Sequence, residues 1–178
     1  MALADFCLRG QREFIVAYVH HGTETSELGF QLVSDWCSST KTPMKTYWVT
    51  KNKPIDESLE EFWRNERYGF FRSFGLPIFM GHHLDDVIET WIFTSLHGNP
   101  QLIPYHNPKS NVFRPFLLNR KKDLVDWCSH NKVNYIEDSS NIDLRFMRNR
   151  IRHRIVPEAL KVNPGLPKVL KKKVLASV

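Results

Sequence analysis

Leu76-Pro77-Ile78-Phe79-Met80-Gly81-His82-His83-Leu84-Asp85-Asp86-Val87-Ile88-Glu89-Thr90 is the stretch from which the fold is read. Its apolar opening, 76–80, predicts a strand, and the acidic run after His82-His83 predicts a helix from about Asp85 to Leu96, stopped by Gly98-Asn99-Pro100. A strand that ends in two histidines and turns into a helix opening with two aspartates puts acids, bases and cation-holding groups at the carboxyl edge of a sheet. Open α/β folds bind their ligands there.

The same alternation extends towards the amino end. Phe14-Ile15-Val16-Ala17-Tyr18-Val19 is a continuous apolar run, as in a parallel strand buried on both faces, and it ends in His20-His21-Gly22. Leu28, Leu32, Val33 and Trp36 give helical spacing from about Glu24 to Ser39, and Met44 to Thr50 reads as a second strand. Ser58 to Ser73 reads as another amphipathic helix with Leu59, Phe62, Trp63, Phe70 and Phe71 inward. Strand and helix in alternation define the expected class, α/β with a parallel sheet and crossover helices. The two histidine pairs are then expected at one sheet edge.

Towards the carboxyl end, Pro100, Pro104 and Pro108 make 99–113 a connecting segment. A helix capped by Asn119 follows, burying Leu124, Val125, Trp127 and Cys128, and then a polar loop at 135–141. The remainder is basic and helical. The expected division is a principal domain over 1–142 and a basic helical extension over 143–178.

The 178 residues suffice for one principal core. Twenty-five basic against 19 acidic residues give a net charge of +6, which favours a polyanionic partner, nucleic acid before membrane. The three cysteines, Cys7, Cys37 and Cys128, are widely spaced and fit neither a disulfide frame nor a zinc ribbon. All three fall on predicted helices and are expected buried and inert. No apolar run reaches membrane-spanning length and no signal pattern opens the chain, so a soluble, cytoplasmic protein is expected.

Asp86 and Glu89, three apart on the predicted helix, project from one face and suit an ammonium or a hydrated Mg²⁺; Asp85 and Glu89 form a second such pair. A macrodipole preference for acids in the first helical turn accounts for one aspartate, not for the whole cluster. His82 and His83 add groups that titrate near neutrality. Zinc is disfavoured, because His-x-x-x-His spacing and nearby cysteines are both missing. Arg64 and Arg67 are equally compatible with a solvated helix face. Arg145, Arg148, Arg150, Arg152 and Arg154 lie within ten residues and suit phosphate contacts.

These residues carry a resemblance. The run from Gly81 to Thr90, with Leu96-His97-Gly98, Arg114-Pro115-Phe116-Leu117, Arg120, Glu137-Asp138-Ser139-Ser140-Asn141, Arg148-Asn149-Arg150-Ile151-Arg152 and Pro157, resembles the amino-terminal domain of the tRNA(Ile)-lysidine synthetase family. Val19-His20-His21-Gly22 and Arg64-Asn65-Glu66-Arg67-Tyr68 also fall in family order. The resemblance implies an N-type ATP pyrophosphatase of adenine-nucleotide α-hydrolase type. In that chemistry ATP adenylates the C2 carbonyl oxygen of the wobble cytidine in a tRNA(Ile) with a CAU anticodon, releasing pyrophosphate, and L-lysine then attacks C2 and displaces AMP.

Carried over residue by residue, the resemblance implies Asp86, Glu89, His82 and Arg148 as catalytic and His21, Gly22, Arg64 and Arg114 at the nucleotide. It implies Arg148, Arg150, Arg152 and Arg154 on the tRNA, ATP with Mg²⁺ as cofactors and no protein metal ligands. A homodimer is left open. The alternatives are a tRNA-binding remnant without activity, a tRNA thiolase of the same superfamily, which paired reactive cysteines would mark, and a metal-dependent hydrolase. The family's Ser-Gly-Gly-x-Asp-Ser loop and the central strand before it find no counterpart here. Met1-Ala2-Leu3-Ala4-Asp5-Phe6 resembles the helix that follows that loop. A start assigned at an internal methionine is the expected reason, ahead of a true truncation or a loop from another polypeptide. His97 stands where the family often has Arg.

Overall fold

The computed structural model describes residues 1–137 and 139–177, and of Ser139 and Ser140 the backbone alone. Asp138, part of the expected polar loop, lies outside the described residues. The chain folds as two compact units, one of Met1–Leu76 with Asn131–Ile136, the other of Pro77–His130 with Glu137–Val178.

In the first unit the elements are α1 (Ala2–Arg9), β1 (Val16–His20), α2 (Glu24–Thr40), β2 (Met44–Trp48) and α3 (Leu59–Arg72). β1 and β2 pair in parallel from Val16↔Met44 to His20↔Trp48, with α2 as the crossover that parallel pairing requires. Thr23 starts α2 by accepting the Ser26 amide at 3.1 Å, and Lys41 ends it in the left-handed region at φ 56°. Ser58 caps α3 in the same way, accepting the Glu61 amide. Phe62 and Phe71 are buried beneath α3 as expected, but Leu59, at its first turn, is exposed. Cys37 is buried and Cys7 only half-buried. Burial pushes the Cys37 thiol above its ordinary pKa, which keeps it an unreactive thiol.

The second unit holds β3 (Ile78–Phe79), α4 (Leu84–Leu96), β4 (His106–Asn107), β5 (Val112–Phe113), α5 (Lys121–His130), a 3₁₀ turn at Ser139–Ile142, and a basic helical run. That run comprises α6 (Met147–Arg150), a π-helical stretch (Ile151–Ile155) and α7 (Val156–Val162); α8 (Leu166–Leu175) follows. β3 pairs in parallel with β5, and β5 pairs antiparallel with β4. The segment expected to be a plain connection therefore contains a hairpin. Its prolines forbid helix but not extended chain, and the turn closes through Asn107, whose side chain accepts the Lys109 amide, with Asn111 at φ 50°. The parallel pairing expected from the alternation is present, but β1 and β3 belong to separate ladders. Among the described residues each carries strand partners on one side only.

Leu84, Val87, Ile88 and Ile92 give α4 a buried stripe of helical spacing, packed with Leu117, Ile151 and, from α8, Leu166, Leu170 and Val174. Ile151, Leu166, Leu170 and Val174, all beyond residue 142, thus share one core with α4. α5 begins at Lys121, one residue later than an Asn119 cap would give. The Asp123 carboxylate takes the Arg120 amide, and the Asn119 carbonyl instead takes the Leu84 amide at 2.7 Å. Among the described residues no helix is long and apolar enough to cross a membrane.

Candidate active site

The second unit concentrates its ionisable groups on the first two turns of α4. His83 is the N-cap, and its side chain and that of Asp86 cap each other's backbone: Asp86 Oδ2 accepts the His83 amide at 2.8 Å and His83 Nδ1 accepts the Asp86 amide at 3.4 Å. This box fixes the Asp86 carboxylate before any ligand arrives. Glu89 stands one turn on, and both acids are buried, at 8% and 4% exposed.

Buried carboxylates require counter-charges. Arg148 supplies one, donating from Nη2 to Asp86 Oδ1 and from Nε to Glu89 Oε2, each at 2.9 Å. Arg152 supplies the other, donating from Nε to Glu89 Oε1 at 2.7 Å and from Nη2 to Oε2 at 3.1 Å, while its Nη1 reaches Asn141. Asp85 is matched separately by Arg120, whose Nε and Nη2 both donate to Oδ1, and by the Lys121 amide on Oδ2. Burial pushes the Asp85 carboxyl up, but the Arg120 and Lys121 hydrogen bonds, with the charges of Arg120 and His83, outweigh it and hold it below the ordinary range. Glu89 in turn holds Arg152 in its charged form.

The acidic pair thus exists as expected, but its cation is the protein's own. The arginines expected on tRNA phosphates divide accordingly. Arg148 and Arg152 face α4, Arg150 is exposed with Nε on the Leu144 carbonyl, and Arg154 is exposed to solvent. The π-helical widening at Ile151–Ile155 lies where Arg152 must share a face with Arg148, and such widenings recur at functional sites. Arg114, expected at the nucleotide, is instead buried, with Nη1 on the Pro104 carbonyl, where it braces the β4–β5 hairpin. His82, expected to be catalytic, is half-buried in the turn before α4.

The first unit holds the other candidates. His20 is buried, its ring stacked on Trp48 at 3.9 Å, with Nδ1 accepting the Gly22 amide and Nε2 facing Glu27 Oε2 at 3.2 Å. That contact shapes the turn in which Gly22 adopts φ +75°, a conformation that disfavours side chains. His21 then lies against Trp63, ring centroids 4.8 Å apart, with Nδ1 buried and without a hydrogen-bond partner among the described residues. Arg64 is exposed and lies over the Tyr68 ring at 4.9 Å. Trp63, expected in the core, is thus a neighbour of the candidate histidine, Trp48 is a participant that sequence reasoning missed, and His83, Arg120 and Asn141 take part although no individual role was expected of them. His83-x-x-Asp86 spacing was the available signal for the cap.

Burial first, then the charges of Arg67 and His20, pushes the His21 imidazole below its ordinary pKa. The unfolded chain therefore binds the proton first as pH falls. The neutral ring's contribution to stability is complete above pH of about 6.5 and declines as pH drops from there towards the folded pKa. His21→Gln is expected to flatten this acid-side decline in urea midpoints measured against pH; an unchanged slope would contradict a half-buried ring that stays neutral.

A family model described as the PP-loop domain matches residues 1–159, and the chain belongs to that family. It is 31% identical over 168 residues to the tRNA(Ile)-lysidine synthase of Francisella philomiragia, spanning 88% of this chain and 42% of that protein. It is 30% identical over 155 residues to the enzyme of the same name from Thermotoga maritima, spanning 82% and 37%. The chain thus spans about two fifths of the length of these curated relatives. Among solved structures, a U34-tRNA thiolase from Methanococcus maripaludis, described with its [4Fe-4S] cluster, superposes with a TM-score of 0.76 at 13% identity, covering 98% of this chain and 66% of that one. That likeness establishes the α/β fold.

Proposed function

We propose that this chain carries the lysine-transfer site of a tRNA(Ile)-lysidine synthase and works in the cytoplasm on a tRNA with a CAU anticodon. The observation that carries the reading is the seat on α4, where one guanidinium, that of Arg148, bridges Asp86 and Glu89 at 2.9 Å each. Two buried carboxylates on one helix face make a place for a cation, and the ammonium of lysine is a cation that fits between them. While Arg148 bridges the two carboxylates, it occupies the place between them that an ammonium would take. A phosphate group is the competing anion that draws a guanidinium away, since arginine pairs with phosphate in the same two-pronged way.

The proposed order follows. Nucleotide phosphate binds first and takes Arg148, balancing the charge that develops as pyrophosphate leaves. Lysine then enters, its ammonium held by Asp86 and Glu89 until it gives up a proton to a carboxylate. The freed amine forms the C–N bond at C2 while the C–O bond to AMP breaks. In the first unit His21, tilted against Trp63 with its imidazole held below the ordinary pKa by burial, is with Gly22 and Arg64 what the family resemblance assigns to a nucleotide. Mg²⁺ would arrive with the ATP on its phosphate oxygens and water. The carboxylates of α4 do not suit it as a resident ion, because Asp85, Asp86 and Glu89 are each already engaged by a guanidinium.

Incubating the chain with ATP, L-lysine and an unmodified tRNA(Ile) transcript, then digesting the RNA for nucleoside mass analysis, tests this reading. The expected product is a wobble cytidine heavier by one lysine, with AMP released only when lysine and tRNA are both present. AMP release without lysine, or an unchanged cytidine with the tRNA bound, would overturn it, the latter in favour of a binding remnant. Sedimentation of the same sample checks whether two copies associate.

A further inference from the structure

We propose that α8 is a docking helix for the RNA backbone, with Lys168, Lys171 and Lys172 as its phosphate contacts. The inference rests on the tRNA reading above but uses a part of the chain that the family match, ending at residue 159, does not include. Leu166, Leu170 and Val174 are buried against the α4 core at 7%, 0% and 1% exposed, so the helix is anchored and its opposite face is fixed. At 100° per residue, Lys168 and Lys172 fall opposite that buried stripe and Lys171 falls on the flank beside Lys168, and all three are exposed.

This face has one sign. After Glu158 the chain contains no further Asp or Glu, and among the described residues none of Lys168, Lys171, Lys172 and Lys173 has an acidic partner. Lys168 stands three residues from Lys171 and four from Lys172, the spacings at which like charges repel on a helix. A face shaped only for solubility interleaves acids, as α3 does with Glu60, Glu61, Arg64 and Glu66. Here the repulsion is relieved by an external polyanion. Lysines suit that role, because a point charge on a flexible stem meets a phosphate without demanding a base sequence. The partner is thus a nucleic-acid backbone, read through charge rather than through sequence.

Binding of a labelled unmodified tRNA(Ile) transcript, followed by anisotropy across a salt series, tests the proposal with the 178-residue chain, its K168Q/K171Q/K172Q variant and its K168R/K171R/K172R variant. Each lost phosphate contact removes about 0.7 to 0.9 from the slope of log affinity against log salt, so the Gln variant should lose roughly 2 from that slope. At about 0.1 M salt its affinity should fall on the order of a hundredfold, and the Arg variant should keep both slope and affinity. Unchanged slope and affinity in the Gln variant would overturn the proposal. So would a loss confined to phosphatidylserine vesicles with RNA binding intact. If the Gln variant fails to fold, single K172Q must lower the slope by about 0.7. A wild-type chain that binds no tRNA at low salt removes both readings. RNA binding that depends on the lysines, without lysidine formation, leaves this proposal standing and removes only the enzymatic one.

Discussion

Glu89→Gln is expected to abolish lysine transfer, by on the order of a hundredfold or more, and to destabilise the second unit at the same time. Both effects come from one missing charge. Glu89 is 4% exposed and faces two guanidiniums, so its neutral isostere leaves a buried cluster in which Asp86 alone balances Arg148 and Arg152. Removing one partner of a buried ion pair costs about 3 to 5 kcal/mol. The arginine side chains are 41% and 27% exposed, and water screens part of that loss, so about 2 kcal/mol is the better expectation. For a chain of this size that corresponds to a melting point lower by roughly 4 to 8 °C. Lost affinity for the ammonium follows the same logic, since a desolvated charge pair without its partner costs about 3 kcal/mol, near a hundredfold. Thermal melts and single-turnover lysidine formation check the two effects separately. A variant that melts like wild type would mean that the arginines are satisfied elsewhere.

Leu170→Ala should be the more damaging change to stability and should act without touching any charge. Leu170 is 0% exposed at the centre of the contact between α8 and α4, where Val87 and Ile88, also 0% exposed, leave no path for water to fill the gap. A buried leucine cut to alanine costs about 2 to 5 kcal/mol, through lost transfer energy and the cavity left behind. Urea unfolding should show a lower midpoint. Val169→Ala, one residue away but 43% exposed, should stay within about 0.5 kcal/mol of wild type. Equal effects at the two positions would mean that α8 is not anchored as described. Because Leu170 holds the lysine face in place, its loss should also weaken RNA binding.

β1, α2, β2 and α3 of the first unit were legible because each carries a pattern long enough to read, whereas α1 was reached only through the family resemblance. β1 is a continuous apolar run, and α2 is bounded by Thr23 and by Lys41 in the left-handed region. α4 was legible for the same reason, with a buried stripe at helical spacing. β4 and β5, at two residues each, are too short for any alternation to register, and their extended geometry comes from the pairing of β5 with β3 and of β4 with β5 across the Asn107 turn. The acids of the site were visible as a cluster, and their place on one helix face followed from a three-residue spacing. Their counter-charges were not, because Arg148 lies 59 and 62 positions away in sequence and only folding selects it over Arg145 or Arg150. Composition said that arginines were available. It could not say which would turn inward.

Titration calorimetry with L-lysine against norleucine, which lacks the side-chain ammonium, tests most directly whether Asp86 and Glu89 receive that group. With nucleotide present to occupy Arg148, the wild-type chain should bind lysine and not norleucine, and E89Q should bind neither. Equal binding of the two amino acids by wild type, or undiminished lysine binding by E89Q, would contradict it.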